Sequence, residues 1–176
     1  TFQTNDGRQP QTFTQAIADK KVIGLYFSGH WCGPCRQFTP ILKQTYNKWQ
    51  QQNYEIEIIF VSSDKDYNGF KSYFENDHGG WLAIPFSSPT RQSVKQRHGG
   101  GGIPRLVFLD CNGKVIEKNG RDLVQNKGSN SFHILSHNVP ERKQQASFSG
   151  FSGQNENTVG HDDWKQQQNN NNNYND

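Results

Sequence analysis

The chain of 176 residues contains no methionine and only three cysteines, Cys32, Cys35 and Cys111. So few cysteines exclude a small scaffold stapled by disulfides, and they cannot supply a four-thiolate zinc site. A mixed site would need spaced histidines beside the Cys pair, and His78, His98, His133, His137 and His161 show no such ligand spacing. No metal is expected. Long apolar runs are also missing. Nothing approaches the roughly 20 residues that a membrane-spanning helix requires, and no secretory signal pattern opens the chain. A chain without methionine lacks its initiator, so a segment before Thr1 is expected to have been removed. Excess charge of one sign is absent too. Up to Pro140 there are 16 Lys and Arg against 11 Asp and Glu, and beyond it 3 against 5, which gives +5 and −2 and sums to the net +3. The basic residues are scattered and no nucleic-acid motif accompanies them, so no nucleic-acid partner is expected.

Mean hydropathy is −0.97, and the polarity is concentrated at one end. The stretch from Glu141 carries Gln144-Gln145, the Ser/Gly/Phe run 147–153, Gln166-Gln167-Gln168 and Asn169 to Asn173. Such a composition cannot bury enough apolar surface to offset its ordering entropy. The sequence therefore reads as a folded domain over 1–140 and a Gln/Asn-rich low-complexity tail over 141–176.

Within the first part, strands and helices alternate. A short edge strand is expected at 2–4, a helix over 12–19 with Thr12 or Gln11 near its cap, and a buried strand over 21–28. Phe38, Ile41, Leu42, Tyr46 and Trp49 recur at helical spacing and predict a helix over 33–51, with Pro40 expected to kink it. The run 55–62 reads as a second buried strand. Tyr67, Phe70, Tyr73 and Phe74 mark a helix to about 77, packed as core, and Gly79 and Gly80 stop it rather than cradle a phosphate. A hairpin of 105–110 and 114–117 closes around Cys111-Asn112-Gly113, and a short helix follows at 121–126. This order predicts an α/β fold with a mixed central sheet flanked by helices.

The chemistry is concentrated in Trp31-Cys32-Gly33-Pro34-Cys35, at the junction of the first buried strand and the long helix. Two thiols spaced by two residues can close a small ring. A thiolate at a helix N-terminus is favoured by unpaired N–H groups and by the helix dipole. Cys32 is thus the expected nucleophile. His30 and Arg36 flank the pair and are candidates for stabilising its thiolate, or are simply solvated. Cys111 reads as a turn thiol, open to oxidation or incidental.

These motifs resemble the thioredoxin fold and, within it, the tryparedoxin and nucleoredoxin branch. The resemblance rests on Leu25-Tyr26-Phe27-Ser28 leading into Trp31-Cys32, on Cys35-Arg36 followed by Phe38-Thr39-Pro40, and on Ile59-Phe60-Val61-Ser62 before Asp64. Trp81-Leu82-Ala83-Ile84-Pro85-Phe86 and Ile103-Pro104 complete it. It covers roughly residues 20–127 and implies a three-layer thioredoxin-like sandwich. It also implies that Cys32 attacks a substrate disulfide, that Cys35 resolves the mixed disulfide, that Trp31, Gly33 and Pro34 shape the active-site loop, and that Pro104 is cis, leaving the backbone of Ile103 to pair with substrate. The chain departs from the branch at Gly33, where the branch has proline, which leaves the potential within about −270 to −180 mV. Tyr26 stands where thioredoxins carry a buried aspartate. Four consecutive glycines, Gly99 to Gly102, precede Ile103 and loosen the expected loop.

The expected activity is reduction of protein disulfides, such as those of peroxidases, by a Cys32-Cys35 dithiol cycle with no cofactor beyond that redox pair. The electron donor is expected to be a reductase protein or a dithiol of low molecular weight, and the setting cytoplasmic, with an organelle left open. A second reading makes the domain a structural or regulatory subunit of a larger assembly, docked through Phe148, Phe151, Trp164 or Tyr174 of the tail.

Overall fold

The computed structural model describes residues 1–140. The low-complexity tail and the docking reading attached to it lie outside the described residues. The chain runs α1 (Phe13–Ile17), β1 (Val22–Ser28), α2 (Gly33–Gln51), β2 (Ile56–Ser62), α3 (Tyr67–Asn76), β3 (Leu82–Ala83), α4 (Pro89–His98), β4 (Arg105–Asp110), β5 (Val115–Glu117), α5 (Gly120–Lys127) and α6 (Ser131–His137), with a turn of 3-10 helix at Gly128–Asn130 before α6.

The sheet order is β3-β2-β1-β4-β5. β1 pairs parallel with β2, from Val22 opposite Ile56 to Ser28 opposite Ser62, and antiparallel with β4, from Val22 opposite Asp110. β3 adds in parallel to β2, and β5 antiparallel to β4. Parallel pairs need helical crossovers, which cover the sheet on its faces, so β1 and β2 are buried along all seven residues each. Their alternate side chains feed two cores. Val22, Tyr26, Ile58, Phe60 and Phe108 meet α2, α3, α5 and α6, while Ile23, Leu25, Phe27, Ile59 and Val107 meet Phe2, Ala16 and Val94. This is the three-layer mixed α/β sandwich.

Several elements differ from the reading of the sequence. The first helix shrinks to five residues behind the capping box of Thr12 and Gln15. The 2–4 strand reduces to single bridges, Phe2 to Gln11 and Gln3 to Ala83. α2 continues through Pro40, whose ring is exposed, and α3 ends at Asn76, ahead of Gly79 and Gly80. Helices α4 and α6 and the short β3 are additions. Among the described residues no helix is long and apolar enough to cross a membrane, and no group of three or more His, Cys, Asp or Glu is placed to hold a metal ion.

Candidate active site

The site is built where β1 ends. Leaving β1 at Ser28, the chain turns through Gly29 and His30, and α2 starts at Gly33 with Cys32 as its N-cap. Cys32 is extended (φ −91°, ψ 109°), and its Sγ accepts the Cys35 N–H at 3.3 Å. Pro34 lies in the first turn, where its missing N–H costs no helical bond. Cys32 and Cys35 are joined as a disulfide with Cα atoms 5.2 Å apart. Both residues are buried, Cys32 at 5% exposed and Cys35 at 0%, with Cys35 the more enclosed.

The loop after β2 holds this turn. Asp64 is buried; its Oδ1 accepts the His30 N–H at 2.6 Å and its Oδ2 accepts the Ser62 hydroxyl at 2.8 Å. The Trp31 indole N–H donates to Ser63 O at 3.1 Å, which lays the ring, 57% exposed, along the surface beside Cys32. Lys65 stands over that ring at 5.9 Å. The His30 ring lies edge-on to Tyr73. Arg36 is exposed on the first turn of α2, and among the described residues no hydrogen bond joins His30 or Arg36 to either sulfur.

On the opposite side, Ile103-Pro104 is cis, and Ile103 O lies 3.8 Å from Cys32 Sγ. The glycine run before it is structurally employed: Gly101 and Gly102 have φ of +64° and +131°, conformations that side chains rarely adopt. A crevice of about 350 Å³ lies along this segment and reaches Lys118 and Arg121. The structure thus gathers Trp31, Cys32, Gly33, Pro34, Cys35, Ile103 and Pro104 at the end of the central strand β1, beside the start of β4. Cys111 is a free, half-buried thiol in the turn after β4.

Beneath Cys35 lies a buried chain of hydroxyls that spacing alone did not suggest. Thr39 Oγ1 donates to Cys35 O at 2.9 Å, which leaves it accepting from Tyr26 at 2.8 Å and from Tyr73 at 2.5 Å, and Tyr73 meets Ser28 at 3.0 Å. Burial holds the Tyr26 phenol well above the ordinary tyrosine range, so it stays neutral. His78 packs against Tyr73 at 4.4 Å and Phe60 at 4.2 Å, and its Nδ1 accepts the Trp81 indole N–H at 3.0 Å. Burial, and secondarily the charge of Lys43, pushes its imidazole down to about 3.

Comparison with known proteins agrees with this geometry. A thioredoxin-like family model matches residues 19–115. Nucleoredoxin of Mus musculus is 45% identical over 117 residues, and probable nucleoredoxin 1 of Arabidopsis thaliana 39% over 121 residues. These matches take in 66% and 69% of this chain, which spans only 26% and 21% of those relatives' lengths. Among solved structures, thioredoxin from Wuchereria bancrofti superposes with a TM-score of 0.66 at 41% identity, covering 72% of this chain and 85% of its own. Native tryparedoxin I from Crithidia fasciculata gives 0.63 at 30% identity, covering 73% and 85%. A family match over more than half of the residues, joined to a 41% identical thioredoxin covered over most of its length, makes this chain a member of the thioredoxin-like family.

Proposed function

We propose that the protein is a thiol-disulfide oxidoreductase that reduces protein disulfides through Cys32 and Cys35. The observation that carries this reading is the division between the two sulfurs. Cys32 caps α2, takes an N–H bond at its sulfur and lies between Trp31 and Ile103, while Cys35 is enclosed behind it. A thiolate at Cys32 attacks one sulfur of the substrate disulfide, forming a mixed disulfide and releasing the other sulfur as a thiolate. Cys35, deprotonated, attacks Cys32 Sγ, closes the Cys32-Cys35 disulfide and releases the second substrate thiolate. Two electrons have then passed to the substrate, and the proton lost by Cys35 ends on a released thiolate. An external dithiol, a reductase protein or a small molecule, returns the pair to its reduced form by the reverse exchange. Disulfides of peroxidases are suitable substrates, and a reducing compartment such as the cytosol suits the cycle.

The test is insulin-disulfide reduction with dithiothreitol, comparing the wild-type chain with Cys32→Ser and Cys35→Ser and titrating the Cys32 thiolate. Expected are loss of turnover in Cys32→Ser, an accumulated mixed disulfide in Cys35→Ser, and a thiolate forming below the free-cysteine value of about 8.5. Absence of turnover in folded wild-type protein, with an ordinary thiol, overturns the proposal.

A further inference from the structure

Helix α4 runs along the edge of the site and is pinned at both ends to the segments that bracket Cys32. In its first turn, Arg91 Nη1 donates to Ser62 O at 3.1 Å, next to the Ser63 carbonyl that holds Trp31. In its last turn, His98 O accepts from Arg105 Nε at 2.9 Å, next to Pro104 and the Ile103 carbonyl facing Cys32. Its ten residues include Arg91, Lys95 and Arg97, no acidic residue and no buried side chain. Lys65, over the Trp31 ring, extends the same charge to the other side of the Ser62–Asp64 loop. Lys95 and Arg91 are close enough for their charges to repel, both feeling Asp64 as the compensating charge.

Three carboxylates lie among these cations, Asp122 in the crevice beside Arg105 and two that are engaged in the fold. Asp64 is buried under the His30 N–H and the Ser62 hydroxyl, and Asp66 caps α3 through the Gly69 N–H at 2.8 Å. Counting Lys65, Arg91, Lys95, Arg97 and Arg105, with Lys118 and Arg121 of the crevice, against Asp64, Asp66 and Asp122, seven minus three leaves +4 around this side of the site. The basic residues that are scattered in the sequence are brought together by the fold. We infer that this edge selects protein substrates whose reacting cysteine is flanked by acidic residues, with Lys65 and Lys95 as the specificity-determining cations. The inference rests on the proposed disulfide exchange and names the chemistry of its partner. A cationic rim of this kind acts chiefly on the encounter rate and is screened by salt.

The experiment measures the second-order rate of the reduced protein with three peptide disulfides whose reacting cysteine is flanked by Asp/Glu, by Ser/Gly or by Lys. At an ionic strength of about 10 mM, where the Debye length is about 30 Å, the acidic peptide is expected to react about tenfold faster than the basic one. The ratio should fall to about twofold at about 300 mM salt, where screening acts within a few ångströms of the surface. Lys65→Glu combined with Lys95→Glu should bring the low-salt ratio to unity or invert it. The ratio cancels any effect of these charges on the Cys32 thiolate itself, and neither lysine holds a hydrogen bond that anchors the fold. Equal rates for acidic and basic peptides at low salt, or a ratio unchanged in the double variant, overturn the inference while the exchange stands. Failure of all three peptides to react overturns the exchange, and the inference with it.

Discussion

His78 should make the stability of the domain acid-sensitive in a window set by two ionisations. The ring is 3% exposed among Tyr26, Phe60, Tyr73, Phe74 and Trp81. Its Nδ1 accepts from Trp81, so Nε2 carries the proton, and this buried N–H has no acceptor among the described residues. Charging such a ring is costly, which is why its value falls from 6.5 to about 3. The sign follows from proton counting. Between these two values the unfolded chain binds the proton and the folded chain does not, so stability rises with pH and is lost as pH falls below about 6.5. The slope approaches about 1.4 kcal/mol per pH unit, and from pH 6 to pH 4 the loss is about 2–3 kcal/mol. Glu57 works in the opposite sense, because burial raises its carboxyl despite Arg8, so its contribution declines as pH rises through that raised value. His78→Asn isolates the histidine: an amide oxygen replaces Nδ1 as acceptor for Trp81, nothing titrates, and Glu57 is common to both proteins. Urea midpoints of the oxidised proteins at pH 6, 5 and 4 should show wild type losing about 2–3 kcal/mol more than the variant. Parallel pH profiles would refute the reasoning.

Two further outcomes follow from buried polar groups. Thr39→Val keeps the shape of the side chain but leaves the Tyr26 and Tyr73 hydroxyls and the Cys35 carbonyl short of a partner, so chemical denaturation should report a loss of about 3 kcal/mol; a loss below about 1 kcal/mol would show that these groups repair themselves. Arg8→Met removes the cation at 3.3 Å from the buried Glu57 and, because Arg8 is itself half-exposed, should cost about 1–3 kcal/mol at neutral pH. That loss should shrink in acid as Glu57 becomes protonated, and a pH-independent loss would assign it to packing.

What was legible in the sequence had a local cause. The apolar-rich runs of β1 and β2, broken only by Glu57 and the closing serines, announce buried strands, the period of Phe38, Leu42, Tyr46 and Trp49 announces α2, and Asn112-Gly113 announces the β4-β5 turn, where Gly113 takes φ of +81°. The cysteine pair was readable because its chemistry depends on spacing and on the strand-helix junction. Helix α4 was not, because Val94 is its single aliphatic side chain and no apolar stripe can form; its signal is Ser88-Pro89, an N-cap hydroxyl accepting the Thr90 N–H followed by proline. α6 is seven residues long, with only Phe132 and Leu135 buried as apolar anchors, too short for a period. Asp64 holding His30 and Tyr73 meeting Thr39 each join residues 34 apart, so both contacts exist only after β2 and α3 have closed over β1.

The hydroxyl chain also bears on how the proposed cycle handles its protons. A carboxylate at position 26 would be a base beneath the resolving cysteine. The phenol there is neutral over the working pH range, and it is already committed to Thr39. Thr39 in turn spends its one proton on the Cys35 carbonyl, so this chain fixes the geometry of the turn and offers no base. Under the proposed exchange, the proton of Cys35 therefore passes to a group outside this hydroxyl chain, and the substrate side offers one. There the first released thiolate, with an ordinary value of about 8.5, is a base matched to another thiol. The second step then depends on the leaving thiol of the substrate as well as on the protein. Charge placed outside the site, along α4 and at Lys65, governs which substrates arrive, while the neutral hydroxyl chain beneath Cys35 leaves the thiol chemistry to the two sulfurs and their partner.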